Sequence, residues 1–202
     1  MRALLVDAYD SFTYIIDQYL RDLGLEVGVV RNDRVDPASL AVSAPARPDF
    51  VVLGPGPGHP ADSGYVHLLG AMDPAVPVLG ICLGHQAIGM ASGGRIERAT
   101  PRHGKTSEVL HDGTGCFRDI PTPVRVARYH SLVVEENSIP DDLVVTARAA
   151  DDGHVMGLRH RSRPIESVQF HPESIGTDFG ADLLLNFITT HVPSKELMTS
   201  EV

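Results

Sequence analysis

The 202-residue sequence predicts an α/β fold: a doubly wound, mostly parallel sheet with helices on both faces, plus a small antiparallel β extension. Two observations predict it. In the first half, short continuous apolar runs alternate with stretches of helical spacing, as in parallel strands buried on both faces. In the second half, strand-like segments follow one another with turn residues between them. That pattern suits antiparallel additions and one strand returning to the main sheet.

The elements follow in chain order. Ala3-Leu4-Leu5-Val6 is a short apolar run that reads as a buried strand. Asp10 and Ser11 then offer N-cap chemistry. Tyr14, Ile15, Gln18, Tyr19 and Leu23 follow at helical spacing, and Gly24 stops the helix. Glu26 to Val30 and Phe50 to Leu53 read as strands two and three, the latter running into Gly54-Pro55-Gly56-Pro57-Gly58. Val76 to Ile81 is a fourth strand, and His85 to Ala91 a short helix. Lys105 to Leu110, Val124 to Tyr129, Leu143 to Ala149, His154 to Arg159 and Ile165 to Phe170 read as further strands, and Asp182 to Ile188 as a closing helix. One domain is expected over residues 1–191, with 192–202 a polar, frayed tail.

Composition narrows the function classes. Apolar content of 43% and charged content of 21% are ordinary for a globular domain with a sizeable core. A net charge of −9 argues against nucleic-acid binding, which normally needs a basic face. Two cysteines, Cys82 and Cys116, are too few for a secreted disulfide scaffold of this size. No apolar run approaches a membrane span, and Asp7 interrupts the short apolar N-terminus that would have to serve as a signal peptide. A cytoplasmic location is the default expectation.

The sharpest local signal is Gly80-Ile81-Cys82-Leu83-Gly84-His85-Gln86, which has the G-x-nucleophile-x-G form of a nucleophile elbow. Flanking glycines relieve crowding where a buried strand turns into a helix. The helix N-terminus then favours thiolate at Cys82, and the backbone N–H of Leu83 can hold an oxyanion. Read alone, Cys82 could equally be a small buried apolar residue. Cys82 and His85 supply too few ligands for a metal site, and none is expected. A base is required elsewhere, and His171-Pro172-Glu173 offers one. In extended chain His171 and Glu173 project to the same side, which is base-plus-orienter geometry; a surface ion pair is the plainer alternative. The Gly54 to Gly58 loop exposes N–H groups at Gly56 and Gly58, since proline donates none. It lacks the Lys-Ser/Thr of a phosphate-binding loop. Arg128-Tyr129-His130-Ser131-Leu132 and His103-Gly104-Lys105 say little by themselves; His130 is a rival base with no acidic residue following within two positions.

Together these motifs resemble the class I glutamine amidotransferase family, and most nearly its glutaminase subunits of anthranilate synthase and aminodeoxychorismate synthase. The resemblance runs from Met1 to about His191, and includes Asp10-Ser11-Phe12-Thr13 and Gln169 to Ser174 beside the motifs above. It implies that Cys82 is the nucleophile, His171 the general base and acid, and Glu173 its orienter. It implies an oxyanion hole from the backbone N–H groups of Gly56 and Leu83. It implies glutamine binding by Gly56, Pro57, Gly58, Gln86, Ser131 and Leu132, and a partner-facing loop at His103, Gly104 and Lys105. The implied reaction hydrolyses glutamine to glutamate and ammonia through a cysteine thioester. Ammonia then passes to a chorismate-using synthase, with no cofactor on this chain and magnesium only on the partner. Ala8 and Ser167 depart from the family pattern, which often has asparagine and glycine there. The rivals are a stand-alone γ-glutamyl cysteine hydrolase, a non-catalytic binding subunit, and the amidotransferase subunits of GMP or carbamoyl phosphate synthesis.

Overall fold

The computed structural model describes residues 1–41, 44 and 47–192. In chain order its strands are β1 (Arg2–Asp7), β2 (Glu26–Arg31), β3 (Phe50–Leu53), β4 (Val78–Ile81), β5 (Ile96–Arg98), β6 (Lys105–His111), β7 (Val124–Arg128), β8 (Leu132–Val134), β9 (Leu143–Ala149), β10 (Val155–His160) and β11 (Ile165–Val168). The helices are α1 (Thr13–Asp22), α2 (Tyr65–Ala71), α3 (Leu83–Ala91) and α4 (Gly180–His191).

Nine strands form one sheet in the order β2-β1-β3-β4-β11-β10-β9-β6-β7. The first five run parallel, and β10, β9, β6 and β7 continue the same sheet antiparallel. β11 is the returning strand, pairing parallel with β4 and antiparallel with β10. A separate ribbon pairs β5 with β8.

Alternation along the central strands explains the two layers of helices. Ala3, Leu5, Phe50, Val52, Leu79 and Ile81 share one core with Ile16 and Leu20 of α1 and with Leu183, Leu184, Phe187 and Ile188 of α4. Val6, Val51, Leu53 and Val78 share the other with Tyr65, Leu68 and Leu69 of α2 and with Leu83, Ala87 and Ile88 of α3. Strands buried on both sides need apolar residues at successive positions, which is why the short continuous runs marked them.

Some boundaries differ from expectation. α1 begins at Thr13 with Phe12 as its N-cap and no side-chain cap. Asp10 instead accepts from the Phe12 N–H, while buried Asp7 accepts from the Asp10 N–H and the Thr13 hydroxyl. Asp10, one of the two expected capping residues, thus serves the turn before the helix. α2 escaped the sequence because it has only seven residues and starts after a left-handed Gly64 without a side-chain cap. β5 and β8 have three residues each, too few to show a period. β11 ends at Val168, although Gln169 N–H still donates to Met156 O and His171 N–H to Ala127 O. Val192, assigned to the tail, is buried in the core, and residues 193–202 lie outside the described residues.

Backbone packs against backbone at the β4–α3 junction. A Cβ on Gly80 would lie 2.7 Å from the Gly84 carbonyl, and one on Gly84 would lie 2.2 Å from the Leu53 oxygen of β3. Backbone cannot yield as a side-chain tip can. Gly84→Ala should therefore lower the urea-unfolding free energy by roughly 1–3 kcal/mol, the usual cost of overpacking. An unchanged midpoint in urea would mean that α3 can lift from β3 freely.

Candidate active site

Cys82 sits between β4 and α3 as the N-cap of α3, with φ 52° and ψ −97°. A positive φ at a non-glycine residue costs about 1–3 kcal/mol and persists only where the surroundings over-determine it. Here the Cys82 N–H donates to Val168 O of β11 at 2.9 Å, and its carbonyl accepts from Gln86 N–H at 3.1 Å. Leu83 N–H belongs to the first helical turn, where amides have no intrahelical acceptor. The other cysteine, Cys116, is enclosed away from this pocket. Burial, then the neighbouring Glu166 carboxylate, pushes its thiol well up and keeps it unreactive.

His171 and Glu173 follow β11, and both are buried. The Glu173 carboxylate lies 2.6 Å from His171 Nδ1, so a carboxylate there accepts the Nδ1 proton and fixes the ring. Nε2 is buried with no hydrogen-bond partner among the described residues. Burial opposes charge on this imidazole. Cys82 and Glu173 together outweigh it and hold its pKa well above the ordinary value. The backbone is pinned too: Thr177 donates to His171 O at 2.6 Å and accepts from Ala127 N–H.

A cavity of about 160 Å³ lies over Cys82. Gly56, Pro57, Gly58, Gln86, Ser131 and Leu132 all line it, together with Tyr129 and His130. Every residue assigned to glutamine binding by resemblance thus meets at one place. Gly56 is held against Ala8, whose Cβ would be 2.5 Å from a Cβ at position 56. Ala8 therefore fits under the glycine loop. Ser167, the other departure, bonds to His85 Nδ1 at 3.0 Å. Gln86 Nε2 donates to Leu132 O at 2.9 Å and to Gln169 Oε1 at 3.2 Å, so its amide organises the cavity wall.

Sequence reasoning missed three neighbours of the pair. Gln169 Nε2 lies 3.6 Å from Cys82 Sγ. The alternation that linked His171 to Glu173 reaches Gln169 one step earlier, and could have found it. The rings of Phe12 and Tyr129 pack on His171 with centroids 5.5 and 5.0 Å away. Nothing local marked them, because the contact joins the turn before α1, the residue after β7 and the loop after β11. His103 of the loop before β6 packs on Tyr129 at 5.6 Å, and Gly104 N–H donates to Arg128 O. Lys105 begins β6 and is exposed. The His103–Lys105 loop is thus outside the cavity and one aromatic ring away from His171. Among the described residues no group of three or more His, Cys, Asp and Glu could hold a metal ion, and no helix is long and apolar enough to cross a membrane.

Two other buried histidines are neutral. Burial and then His130 hold His85 down to about 3. Burial and then Arg128 hold His130 down to about 4. On unfolding, both recover the ordinary value of 6.5 and take up protons below it. The unfolded chain then binds more protons, so stability falls as pH drops through this window. His171 has the opposite sign. Its contribution is complete below 6.5 and is lost only as pH rises through its raised folded value, so it adds no slope there. Urea unfolding between pH 6.5 and about 4.5 should lose stability steadily. His85→Asn should flatten that slope by up to about 1.4 kcal/mol per pH unit. Identical slopes in the two proteins would show that His85 is not held neutral.

Known proteins similar to this chain give its family. The family described as glutamine amidotransferase class-I matches residues 4–190. Anthranilate synthase component 2 of Azospirillum brasilense is 46% identical over 190 residues, covering 93% of this chain and 95% of that protein. Aminodeoxychorismate synthase of Streptomyces griseus is 53% identical over 192 residues, but the match covers only 26% of that longer protein and 93% of this chain. The crystal structure of a GMP synthase-type subunit from Thermoplasma acidophilum superposes with a TM-score of 0.81 at 27% identity, covering 99% of this chain and 98% of that one. With the family match spanning nearly its whole length, this chain belongs to the class-I glutamine amidotransferases.

Proposed function

We propose that this chain is the glutaminase subunit of a chorismate-using synthase of the anthranilate or aminodeoxychorismate type. The observation that carries the reading is the elbow cysteine, Cys82, at the floor of a cavity beside a buried His171–Glu173 pair. In the mechanism, Cys82 attacks the side-chain carboxamide of glutamine. The N–H groups of Gly56 and Leu83 hold the tetrahedral oxyanion. His171 protonates the departing ammonia, then takes a proton from the water that hydrolyses the γ-glutamyl thioester. Glu173 orients His171 and stabilises its charged form. Gly56 to Gly58, Gln86, Ser131 and Leu132 hold the substrate. Residues 1–191 act as one domain in the cytoplasm, no cofactor is needed on this chain, and magnesium belongs to the synthase.

The partner reading is supported by relatives at 46% and 53% identity named for chorismate-using synthases, against 27% for the GMP-type structure. The His103–Lys105 loop is the proposed docking edge, with Tyr129 linking it to His171.

In the assembled complex, Cys82→Ser should abolish product made from glutamine and leave product made from added ammonia intact. Surviving glutamine-driven turnover would sink the mechanism. Glu173→Ala should lower glutamine-driven kcat on the order of 10²-fold or more, as expected when a catalytic histidine loses its orienting partner. Incubation with chorismate, glutamine and each candidate synthase, with the product identified by mass, decides the acceptor. Product only with a GMP-type synthetase would refute the chorismate assignment.

A further inference from the structure

Among the described residues Arg128 is the largest fully buried side chain, with no exposed surface. It lies at the end of β7, immediately before the Tyr129–Leu132 wall of the cavity. A buried guanidinium needs several acceptors, and Arg128 finds them in three directions. Nη1 donates to Ser107 Oγ at 3.1 Å and to Asp151 Oδ1 at 3.2 Å. Nη2 donates to Asp152 Oδ2 at 2.9 Å. Nε donates to His130 Nε2 at 3.1 Å.

The last contact decides a tautomer. A guanidinium N–H can only donate, so His130 Nε2 must accept. The ring proton then resides on Nδ1, which donates to Leu132 O at 3.1 Å. The same carbonyl accepts from Gln86 Nε2, Gln86 also donates to Gln169, and Gln169 lies against Cys82 Sγ. A continuous polar chain therefore runs from Asp151 and Asp152 at the surface, through Arg128 and His130, to the nucleophile.

We propose that Arg128 is a positioning residue for the glutamine pocket: by fixing the tautomer and orientation of His130 it holds Leu132 O, and through it Gln86 and Gln169, in place around Cys82. The proposal rests on the reading of this cavity as the glutamine site. His130 is held neutral by burial first and by Arg128 second, which agrees with an Nε2 that accepts. Asp152, His154 and His85 are the other titratable groups acting on His130 or acted on by it. Nothing in this chain of contacts places Arg128 on the substrate itself. Its effect passes through His130 and the carbonyl beyond.

Labelling of Cys82 by two electrophiles tests this in the full chain bound to its synthase. A chloroketone analogue of glutamine must fill the pocket, whereas iodoacetamide needs only an open sulfur. Arg128→Lys keeps a charge but cannot serve His130, Ser107, Asp151 and Asp152 together. It should slow chloroketone labelling about 10-fold or more and raise KM for glutamine, the scale on which lost orienting partners act. Iodoacetamide labelling should stay within about twofold of wild type. Should Arg128→Lys not fold, the double variant Asp151→Ala/Asp152→Ala releases the guanidinium from the surface side and should shift the two probes in the same unequal way. Unchanged chloroketone labelling in a folded variant overturns the proposal. Equal slowing with both probes overturns it too, because that marks general disorder around Cys82. Wild type that reacts with iodoacetamide but not with the chloroketone overturns the glutamine reading itself, and this proposal with it.

Discussion

The site depends on how closely one helix can approach the strands beneath it. Gly84 brings the first turn of α3 against the backbone of β3, and Gly80 lets β4 pass under Ile88 and Gly84. Only with that contact can Cys82 be driven to a positive φ and sit as the helix N-cap, its N–H tied to β11. The contact also sets which other elements can reach the sulfur. β11 lies beside β4, so the loop that leaves β11 delivers His171 and Glu173 to the same edge. The glycine loop after β3 reaches it from the other side, with Gly56 against Leu83 and Ala8. Ligand sites at the carboxyl ends of parallel strands arise from this kind of convergence.

Electrostatics divides the buried polar groups into two arrangements. His171 and Glu173 form a compact pair in which the cost of burial is offset by opposite charge and by Cys82 nearby. Arg128, Ser107, Asp151 and Asp152 form a wider one, with the cation buried and its carboxylates partly in water. The neutral His130 joins the second arrangement to the wall of the cavity. Elsewhere the buried carboxylate of Glu166 is satisfied by Cys116 N–H and His191 Nε2, and ties the end of α4 to β11. Buried charges of this kind are costly unless hydrogen-bonded. Each group here has a named partner, while the His171 Nε2 and Glu173 Oε2 atoms have none among the described residues.

The sequence by itself determined the layers and the chemistry. Runs such as Phe50–Leu53 and Leu143–Ala149 were legible as strands because burial on one or both faces dictates residue type at each step. The elbow was legible because backbone approach leaves no choice but glycine at Gly80 and Gly84. His171 and Glu173 were legible as a pair from their two-residue spacing, but they meet across a turn closed by Ser174 N–H to His171 O rather than in the extended chain the sequence suggested. Tertiary structure alone decided that four antiparallel strands continue the main sheet, that Phe12 and Tyr129 pack on His171, and that Arg128 selects the tautomer of His130. These are contacts between segments far apart in the chain. Their geometry depends on strand order and register, which no run of neighbouring residues specifies.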